Sequence, residues 1–398
     1  MHADPTQIIR AHAASVAARC RRDQSRRVRR LVAAGFAAAA GVAMVASVAV
    51  SLPAGAAPPE FLSHFSTVTQ VASTVPTNGD LNPYGIANVL FSTGGLVRGD
   101  TLVSNFNASS NLQGTGSTIE EISPLGVVTP FAQLSAAGLP GACPGGVGLT
   151  TALAVLNDGY VVVGSLPVTD AGTGTPKAGC LIVLNSHGVP VETWAGAGID
   201  GPWDMTVAQL GGFADVFVTN VLNGLTGAPD DTPVNQGTVL RLSVVMPPGR
   251  APVLVASSTI GTGFAEELDP VALVIGPTGV ALGPNDTLYV ADAVNSRIAA
   301  IPFAAFRFFP ATDGGITVTA GDQLMGPLGL TLAPNGDLLT VNSDNGNGVE
   351  VTPTGFQFPA VQFDPANAAG DLFGLTVAPN GHGVLFVDDG SNTLQLLQ

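Results

Sequence analysis

Residues 277–292 read PTGVALGPNDTLYVAD, residues 327–342 read PLGLTLAPNGDLLTVN, and residues 372–381 read LFGLTVAPNG. The three stretches are copies of one phrase, so the chain contains an internal repeat. Each copy predicts a short apolar strand, a turn of the Pro-Asn-Gly type, and a second strand that ends in Asp or Asn. The repeated unit is therefore a β-hairpin, and the fold must arise by setting such units side by side.

Six copies of this unit can be placed along the chain, at spacings of 45 to 75 residues. Inner strands are predicted to begin at Pro83, Leu149, Pro202, Pro277, Pro327 and Leu372. Second strands follow at 101–105, 160–164, 215–220, 288–292, 338–342 and 385–389, and third strands at 118–122, 181–184, 238–242, 297–301, 349–352 and 393–397. Fourth strands are predicted at 127–131, 191–194, 253–257, 316–320 and 356–361.

The sixth unit lacks a fourth strand, and the segment His64–Ser73 is available to supply it. Six units of four antiparallel strands, closed by this N-terminal strand, predict an all-β six-bladed β-propeller, because a closed ring protects the edges of its sheets. Hardly any segment after residue 60 has helical periodicity, which excludes the α/β classes. We expect residues 58–398 to form one propeller domain.

The first 57 residues differ in composition from the rest of the chain. They hold 8 of the 14 Lys and Arg residues, the last of them Arg30, and the apolar run Leu31–Leu52 begins directly after Arg30. A basic region, an apolar core and small residues before Pro58 predict an export signal cleaved near Ala56 or Ala57. A retained anchor is the alternative, because the run is long enough to span a bilayer. The pair Arg26-Arg27 resembles a twin-arginine signal in part, so both Sec and twin-arginine export to the periplasm or beyond remain open.

Residues 58–398 carry 6 basic and 27 acidic side chains, a net charge of −21. This balance excludes nucleic acid and, after signal cleavage, an anionic membrane as partners, since both require positive potential. Cys20 would leave with the signal, so an exported domain keeps Cys143 and Cys180. One disulfide between them is the simplest outcome in an oxidising compartment, and two free thiols are the alternative.

The inner-strand phrase and the sequence YVADAVNSRI at 289–298 resemble the NHL-repeat propellers and their relatives, the gluconolactonase-type hydrolases and the streptogramin lyases. The resemblance implies a calcium site formed by the residue before the glycine of each inner strand, because calcium prefers oxygen ligands. Those positions are occupied here by Tyr84, Thr150, Trp203, Thr278, Leu328 and Phe373. None is a carboxylate or an amide, and Asp204, which replaces a glycine, is the only acid in the motif and the one weak catalytic candidate.

Two sets of polar and aromatic residues are candidates for binding. Tyr84, Trp203 and Phe373, with Asn105 at the end of a second strand, are predicted to surround the channel mouth and bind a ligand, or alternatively to plug the channel as core. Asn and Asp also recur where second strands end, and they are predicted either to cap their own turns or to bind one calcium ion. The metal candidates are Asn220, Asp292, Asn342, Asp344 and Asp389.

Long loops after the second strands of the first three blades, at 106–117, 166–179 and 221–237, predict a binding rim on the same face. The remaining histidines fall outside any catalytic pattern, and zinc, nucleophile-elbow and phosphate-loop motifs are missing from the sequence. The sequence therefore favours a monomeric, exported, non-catalytic propeller that binds a small molecule or a protein at its channel face. The alternative is a calcium-assisted hydrolase or lyase.

Overall fold

The computed structural model describes residues 60–168, 175–225, 232–269, 272–366 and 369–398, so the predicted export signal lies outside the described residues. Strands β1 to β9 span Val68–Ser73, Leu81–Asn88, Thr101–Asn107, Thr118–Ile122, Val128–Gln133, Leu149–Val155, Val161–Ser165, Cys180–Leu184 and Pro190–Trp194. Strands β10 to β18 span Gly201–Leu210, Phe213–Val221, Val234–Val245, Val253–Asp269, Leu273–Ile275, Pro277–Leu282, Thr287–Asp292, Arg297–Pro302 and Ile316–Ala320. Strands β19 to β25 span Pro327–Leu332, Leu338–Asn342, Asn347–Val351, Val361–Gln362, Leu372–Val377, Val384–Asp388 and Thr393–Leu397.

These strands form six antiparallel sheets, and each sheet is one blade of a β-propeller. Blades 1 to 5 start with the inner strands β2, β6, β10, β15 and β19, and blade 6 starts with β23. In blade 6 the outer position is taken by β1, which pairs with β25 from Val68 opposite Leu397 to Ser73 opposite Thr393. The prediction of a six-bladed propeller closed by an N-terminal strand is confirmed.

The six inner strands approach one another closely around the propeller axis. A Cβ on Gly329 would collide with the backbone carbonyl of Phe373 on the next inner strand, and one on Gly374 would collide with that of Tyr84. The repeated glycine is therefore required because a neighbouring backbone fills the space of a side chain. Apolar clusters between adjacent blades supply the rest of the core, as where Val162 and Leu181 of blade 2 pack with Val218 of blade 3.

Blade 3 differs from the prediction. Its fourth strand was expected to end at residue 257, but β13 continues to Asp269 and pairs with β12 as far as Val234 opposite Glu266. The segment 232–237, expected to be loop, is therefore largely strand, and β14 adds a fifth strand. Two glycines, Gly261 and Gly263, interrupt the apolar pattern of β13 and weaken its strand signal.

The outer strand of blade 5 was also predicted wrongly. It was expected at 356–361, but only Val361–Gln362 pairs with β21, apart from a single bridge between Val351 and Gln357. Pro359 lacks the N–H that a ladder requires. The side chain of Gln357 donates instead to Thr319 Oγ1 at 2.9 Å and to the Gly321 carbonyl at 3.0 Å, which ties this segment to blade 4.

Cys143 and Cys180 form a disulfide, as predicted. It joins the segment before β6 to the first residue of β8, and the Gly145 N–H donates to the Ala178 carbonyl beside it at 2.9 Å. Within the described ranges, no helix is long and apolar enough to cross a bilayer.

The N-terminal segment before β1 is fixed to blade 5 by a buried carboxylate. The backbone N–H groups of Phe61 and Leu62 donate to Glu350 at 2.8 and 2.7 Å, and Asn335 Nδ2 donates to it at 2.9 Å. Glu350 is fully buried, and its neighbour Asp337 has a pKa raised to about 6, by burial first and then by Glu350. Glu350 is therefore the point at which the chain enters the propeller.

Removing the disulfide should lower the free energy of unfolding. The two cysteines lie 37 residues apart, and a cross-link that closes a loop of this length contributes about 3–4 kcal/mol by restricting the unfolded chain. Urea unfolding of Cys143→Ser/Cys180→Ser should show this loss against the wild type. Reductant should destabilise the wild type to the same level and leave the double variant unchanged; an unaffected wild type would contradict the assignment.

Glu350→Gln should weaken the attachment of Phe61 and Leu62 to blade 5, because one of the two carboxylate oxygens becomes an amide NH₂ group that faces a backbone N–H donor. We expect a loss of about 1–3 kcal/mol in the free energy of unfolding and faster chymotryptic cleavage after Phe61 and Phe65. Glu192→Gln, at a half-buried acid on β9, is the matched control. Equal cleavage rates in the two variants would show that the carboxylate does not hold this segment.

Candidate functional site

The three predicted aromatic residues meet in a closed cluster on the propeller axis. Tyr84 stacks on Phe373 with ring centroids 3.7 Å apart and on Phe106 at 4.4 Å. Tyr84, Trp203 and Phe373 are all buried, at most 3% exposed. They fill the end of the channel at which the inner strands begin, so we call this the plug face. The structure places these side chains in core packing, one of the two alternatives open from sequence.

Blade 3 covers the aromatic cluster from outside. Leu273 and Val274 of β14 pack into the cluster, and Trp203 Nε1 donates to the Val274 carbonyl at 3.0 Å. Burial raises the pKa of the Tyr84 phenol well above its usual value, with further contributions from Asp389 and Asp269, so Tyr84 stays neutral. The strand insertion that sequence analysis missed is therefore what seals this face.

The plug face does not suit a calcium ion at the positions implied by the family resemblance. Leu328 and the three rings offer apolar surface, and the Thr278 hydroxyl is used by hydrogen bonds to the Ala291 and Pro327 carbonyls. Asn105 is also buried: its Nδ2 donates to the Thr74 carbonyl at 3.0 Å, while its Oδ1 has no partner among the described residues. The donor set needed to replace the hydration shell of calcium is not present at these positions.

The five metal candidates lie in four different blades, and most of them bond within their own blade. Asn220 Oδ1 accepts from the Asp200 N–H at 2.8 Å, and Asn342 Oδ1 accepts from the Met325 N–H at 3.0 Å. Asp292 forms an ion pair of 2.7 Å with Arg297, so that a cation already neutralises it. Across the described residues, no three His, Cys, Asp or Glu side chains are grouped to hold a metal ion.

The remaining two metal candidates differ in their surroundings. Asp344 is exposed and accepts from the Ser343 hydroxyl at 2.7 Å. Asp389 accepts from Asn82 Nδ2 at 3.1 Å, and its pKa is raised to about 8 by burial first and then by Asp371 and Asp388. A proton on this carboxyl relieves the repulsion between neighbouring acids.

The axial channel forms a cavity of about 320 Å³ that lies beyond the aromatic plug. Along the inner strands, the residues around the repeated glycine are buried and those at the end are partly exposed, as in β19 and β23. The channel therefore opens where the inner strands end, at the turns that join first to second strands. We call this side the turn face, and it is opposite to the face predicted from sequence.

Most of the residues that line the channel are apolar, but polar atoms make up the larger part of its accessible surface. Leucine, isoleucine, valine, methionine and alanine side chains from all six inner strands line it, together with threonines. The threonines Thr206, Thr331 and Thr376 occupy equivalent positions, two residues after the repeated glycine or its replacement. This recurring threonine was visible in the repeat phrase and could have indicated the lining of the channel.

Asp204 is the only ionisable side chain among the lining residues. It occupies the glycine position of blade 3, and its carboxylate bridges to blade 4: Oδ1 accepts from the Met205 N–H at 2.7 Å and Oδ2 from the Val280 N–H at 3.2 Å. Burial raises its pKa to about 8 despite these two donors. The adjacent blade has Thr151 at the same position, and its buried Oγ1 has no hydrogen-bond partner among the described residues.

These two residues place polar side chains at the glycine position of two adjacent inner strands, in a channel whose lining residues are mostly apolar. A carboxyl with a pKa near 8 is neutral at lower pH and can donate as well as accept a hydrogen bond. The unpartnered Thr151 hydroxyl can do the same. Elsewhere on the inner ring the equivalent position is glycine, so the polar site lies on one side of the channel.

Comparison with known proteins agrees with this architecture. Residues 275–301, which cover the first three strands of blade 4, match the family model of the NHL repeat. The fourth blade matches an NHL repeat. No curated protein sequence matches the chain.

Solved structures similar to this propeller include several enzymes. A gluconolactonase from Xanthomonas campestris shares 16% identity, with 83% of this chain and 89% of that chain covered and a TM-score of 0.50. A putative gluconolactonase shares 14%, with coverages of 86% and 96% and a TM-score of 0.54. Regucalcin from Agrobacterium tumefaciens, a calcium-binding protein, shares 11%, with coverages of 82% and 92% and a TM-score of 0.50. At these identities the likeness shows the fold alone.

The buried Asp204 should make stability depend on pH. The folded state retains this proton up to about pH 8, whereas an unfolded Asp loses it near pH 4, so stability falls as pH rises between those values. In Asp204→Asn the fall should be shallower by up to about 1.4 kcal/mol per pH unit. The measurement is urea unfolding of both proteins at about pH 5 and about pH 7.

The comparison with the variant is needed because Glu266 and Glu120 also have pKa values raised by burial, to about 8 and about 7. Asp158→Asn, at an exposed acid in a turn of blade 2, is the control and should leave the slope unchanged. Equal slopes for wild type and Asp204→Asn would mean that Asp204 is ionised in the channel.

Proposed function

We propose that this protein is a non-catalytic binding propeller that takes a small, mostly apolar molecule into its axial channel from the turn face. The observation that carries the proposal is the cavity of about 320 Å³, whose lining residues are mostly apolar and include one ionisable side chain, Asp204, with Thr151 at the same position of the adjacent blade. Concave apolar sites with a few placed polar groups are where proteins bind small molecules. The volume is at the lower end of the range for such sites, which favours a compact ligand.

The chemistry of the channel indicates the class of ligand. An apolar ring or chain would contact the leucine, valine and isoleucine side chains, and one hydroxyl, amide or amine group would pair with Asp204 or Thr151. A buried polar group left without a partner costs about 1–3 kcal/mol, so a ligand that pairs with Thr151 removes a cost already present in the free protein. A multiply charged ligand would find no countercharge in the lining.

The proposal replaces the predicted binding face with the opposite one. The long loops of blades 1 to 3 lie on the plug face, away from the open end of the channel. Export and signal cleavage are part of the proposal and rest on the sequence pattern of residues 1–57 and on the disulfide.

A second candidate function is a hydrolase or lyase, and Asp204 is the observation that favours it. Ionisable groups with strongly raised pKa values in a cleft are candidates for proton transfer. General acid–base catalysis commonly pairs such a group with a nucleophile or a second acid or base. Asp204 accepts from two backbone N–H groups, and no threonine hydroxyl of the lining is hydrogen-bonded to its carboxylate, so binding without turnover is the better supported function.

Binding can be tested with the neutral fluorescent probe N-phenyl-1-naphthylamine, which has two apolar ring systems, a phenyl and a naphthyl group, and one N–H donor. We expect saturable binding of one probe per chain, with fluorescence enhanced by the apolar wall. Thr331→Phe fills the channel and should weaken the binding at least tenfold. Thr129→Phe, an equal substitution at an exposed position on β5, is the matched control and should bind as the wild type does.

Equal binding by Thr331→Phe and the wild type would overturn the channel as the site. Assays with aromatic esters and lactones separate the two candidate functions. Turnover that is lost in Asp204→Asn, and is independent of added calcium, would favour the proton-transfer enzyme. Turnover that requires calcium and is lost in Asn220→Ala would favour the metal-assisted alternative.

A further inference from the structure

One loop of the propeller exposes four phenylalanine side chains. The segment 303–309 between β17 and β18 reads FAAFRFF, and Phe303, Phe306, Phe308 and Phe309 are all exposed, the last two at 91% and 81%. Soluble monomeric proteins rarely expose large contiguous apolar patches, and those that do use them in binding. Core packing does not explain this loop, because the rings point away from the blades.

The loop is held in this form by its own hydrogen bonds. Arg307 Nε donates to the Pro302 carbonyl and its Nη1 to the Phe309 carbonyl, both at 3.2 Å. The Ala304 and Ala305 N–H groups donate to the backbone carbonyl and Oδ1 of Asp286, both at 2.9 Å. Arg241 of blade 3 also donates to the Ala304 carbonyl at 3.1 Å. The phenylalanines are therefore presented on a fixed backbone.

The loop lies on the turn face of the propeller. Asp286, which binds it, belongs to the turn between the first and second strands of blade 4. In an antiparallel blade, the loop between the third and fourth strands returns to that same edge. Other blades add exposed apolar side chains in equivalent turns, at Phe91, Leu125, Leu210, Phe213 and Phe356. Together with the loop 303–309, these exposed apolar side chains are distributed over the turn face, and we call this set of residues the aromatic face.

The chain also enters the propeller at this face. Phe61 and Leu62 bind Glu350, which in turn binds Asn335 in the Pro-Asn-Gly turn of blade 5.

The charges on this side differ from those of the whole domain. The loops of the turn face carry three of the six basic residues in 58–398, Arg98, Arg250 and Arg307, against only five of the 27 acidic residues. Phenylalanine at the boundary of the acyl chains with arginine near the headgroups is the pattern of proteins that lie on a membrane. The net charge of −21 still opposes an anionic surface, which leaves neutral lipid.

We propose that the aromatic face docks on a lipid bilayer of zwitterionic composition, with the phenylalanines of 303–309 inserted between the headgroups. Sequence analysis expected no membrane partner because of net charge, and that argument applies to anionic lipid alone. Docking would place the open channel against the bilayer, where apolar molecules partition.

The test is co-sedimentation of residues 58–398 with phosphatidylcholine vesicles. This segment includes every described strand and all six sheets. We expect the wild type to bind, and Phe308→Ser/Phe309→Ser to reduce the bound fraction at least tenfold with an unchanged melting temperature, since both side chains are exposed. Val75→Ser/Met325→Ser removes two exposed apolar side chains on the plug face, and this control variant should bind as the wild type does.

Phosphatidylglycerol added to the vesicles should weaken binding at low salt, because it repels the acidic domain. Three results would overturn the proposal. The first is failure of the wild type to sediment with phosphatidylcholine, and the second is a phenylalanine variant that sediments as well as the wild type. The third is self-association of the wild type without vesicle binding, detected by light scattering and abolished by Phe308→Ser/Phe309→Ser. The face would then bind a second copy of the chain.

Discussion

The close approach of six inner strands around one axis is the constraint on which the rest of the structure depends. At Gly329 and Gly374 the backbone of the next strand occupies the place of a side chain, so those positions must be glycine. Where a blade departs from glycine, the larger residue has to find room toward the channel or the neighbouring strand. Asp204 does so by accepting a hydrogen bond from the Val280 N–H of blade 4, and the Thr151 hydroxyl has no hydrogen-bond partner among the described residues. The polar site of the channel therefore arises from two exceptions to the packing rule that forms the ring.

Blade 3 determines which end of the channel is open. Its insertion, the end of β13 followed by β14, places Leu273 and Val274 over the rings of Trp203 and its neighbours. The stack of Tyr84 between Phe106 and Phe373 then completes an apolar plug, and such offset pairs add to the stabilisation from burial. With the plug face closed, the partly exposed ends of the inner strands are the way into the cavity.

The sequence predicted the fold well because the repeat phrase contains both a strand period and turn residues. It gave the blade number, the closing strand within His64–Ser73 and the Cys143–Cys180 disulfide. The errors fell where a segment lacked that phrase. Gly261 and Gly263 obscured the extension of β13, and Pro359 shifted the short outer strand of blade 5 to Val361–Gln362. The open end of the channel was not predictable, since it depends on contacts made by the unrecognised insertion. Asp204 was identified by its exceptional place in the motif, but its bridge to β15 and its raised pKa depend on the packing of two blades.

The central claim is that the axial channel, entered from the turn face, binds an apolar molecule beside Asp204 and Thr151. The most direct measurement is a crystal structure of residues 58–398 with N-phenyl-1-naphthylamine. We predict density for the probe within the channel, with its N–H directed at one of these two residues and the Tyr84–Phe373 stack intact. Probe density confined to the plug face or the outer surface, with the channel free of it, would contradict the account.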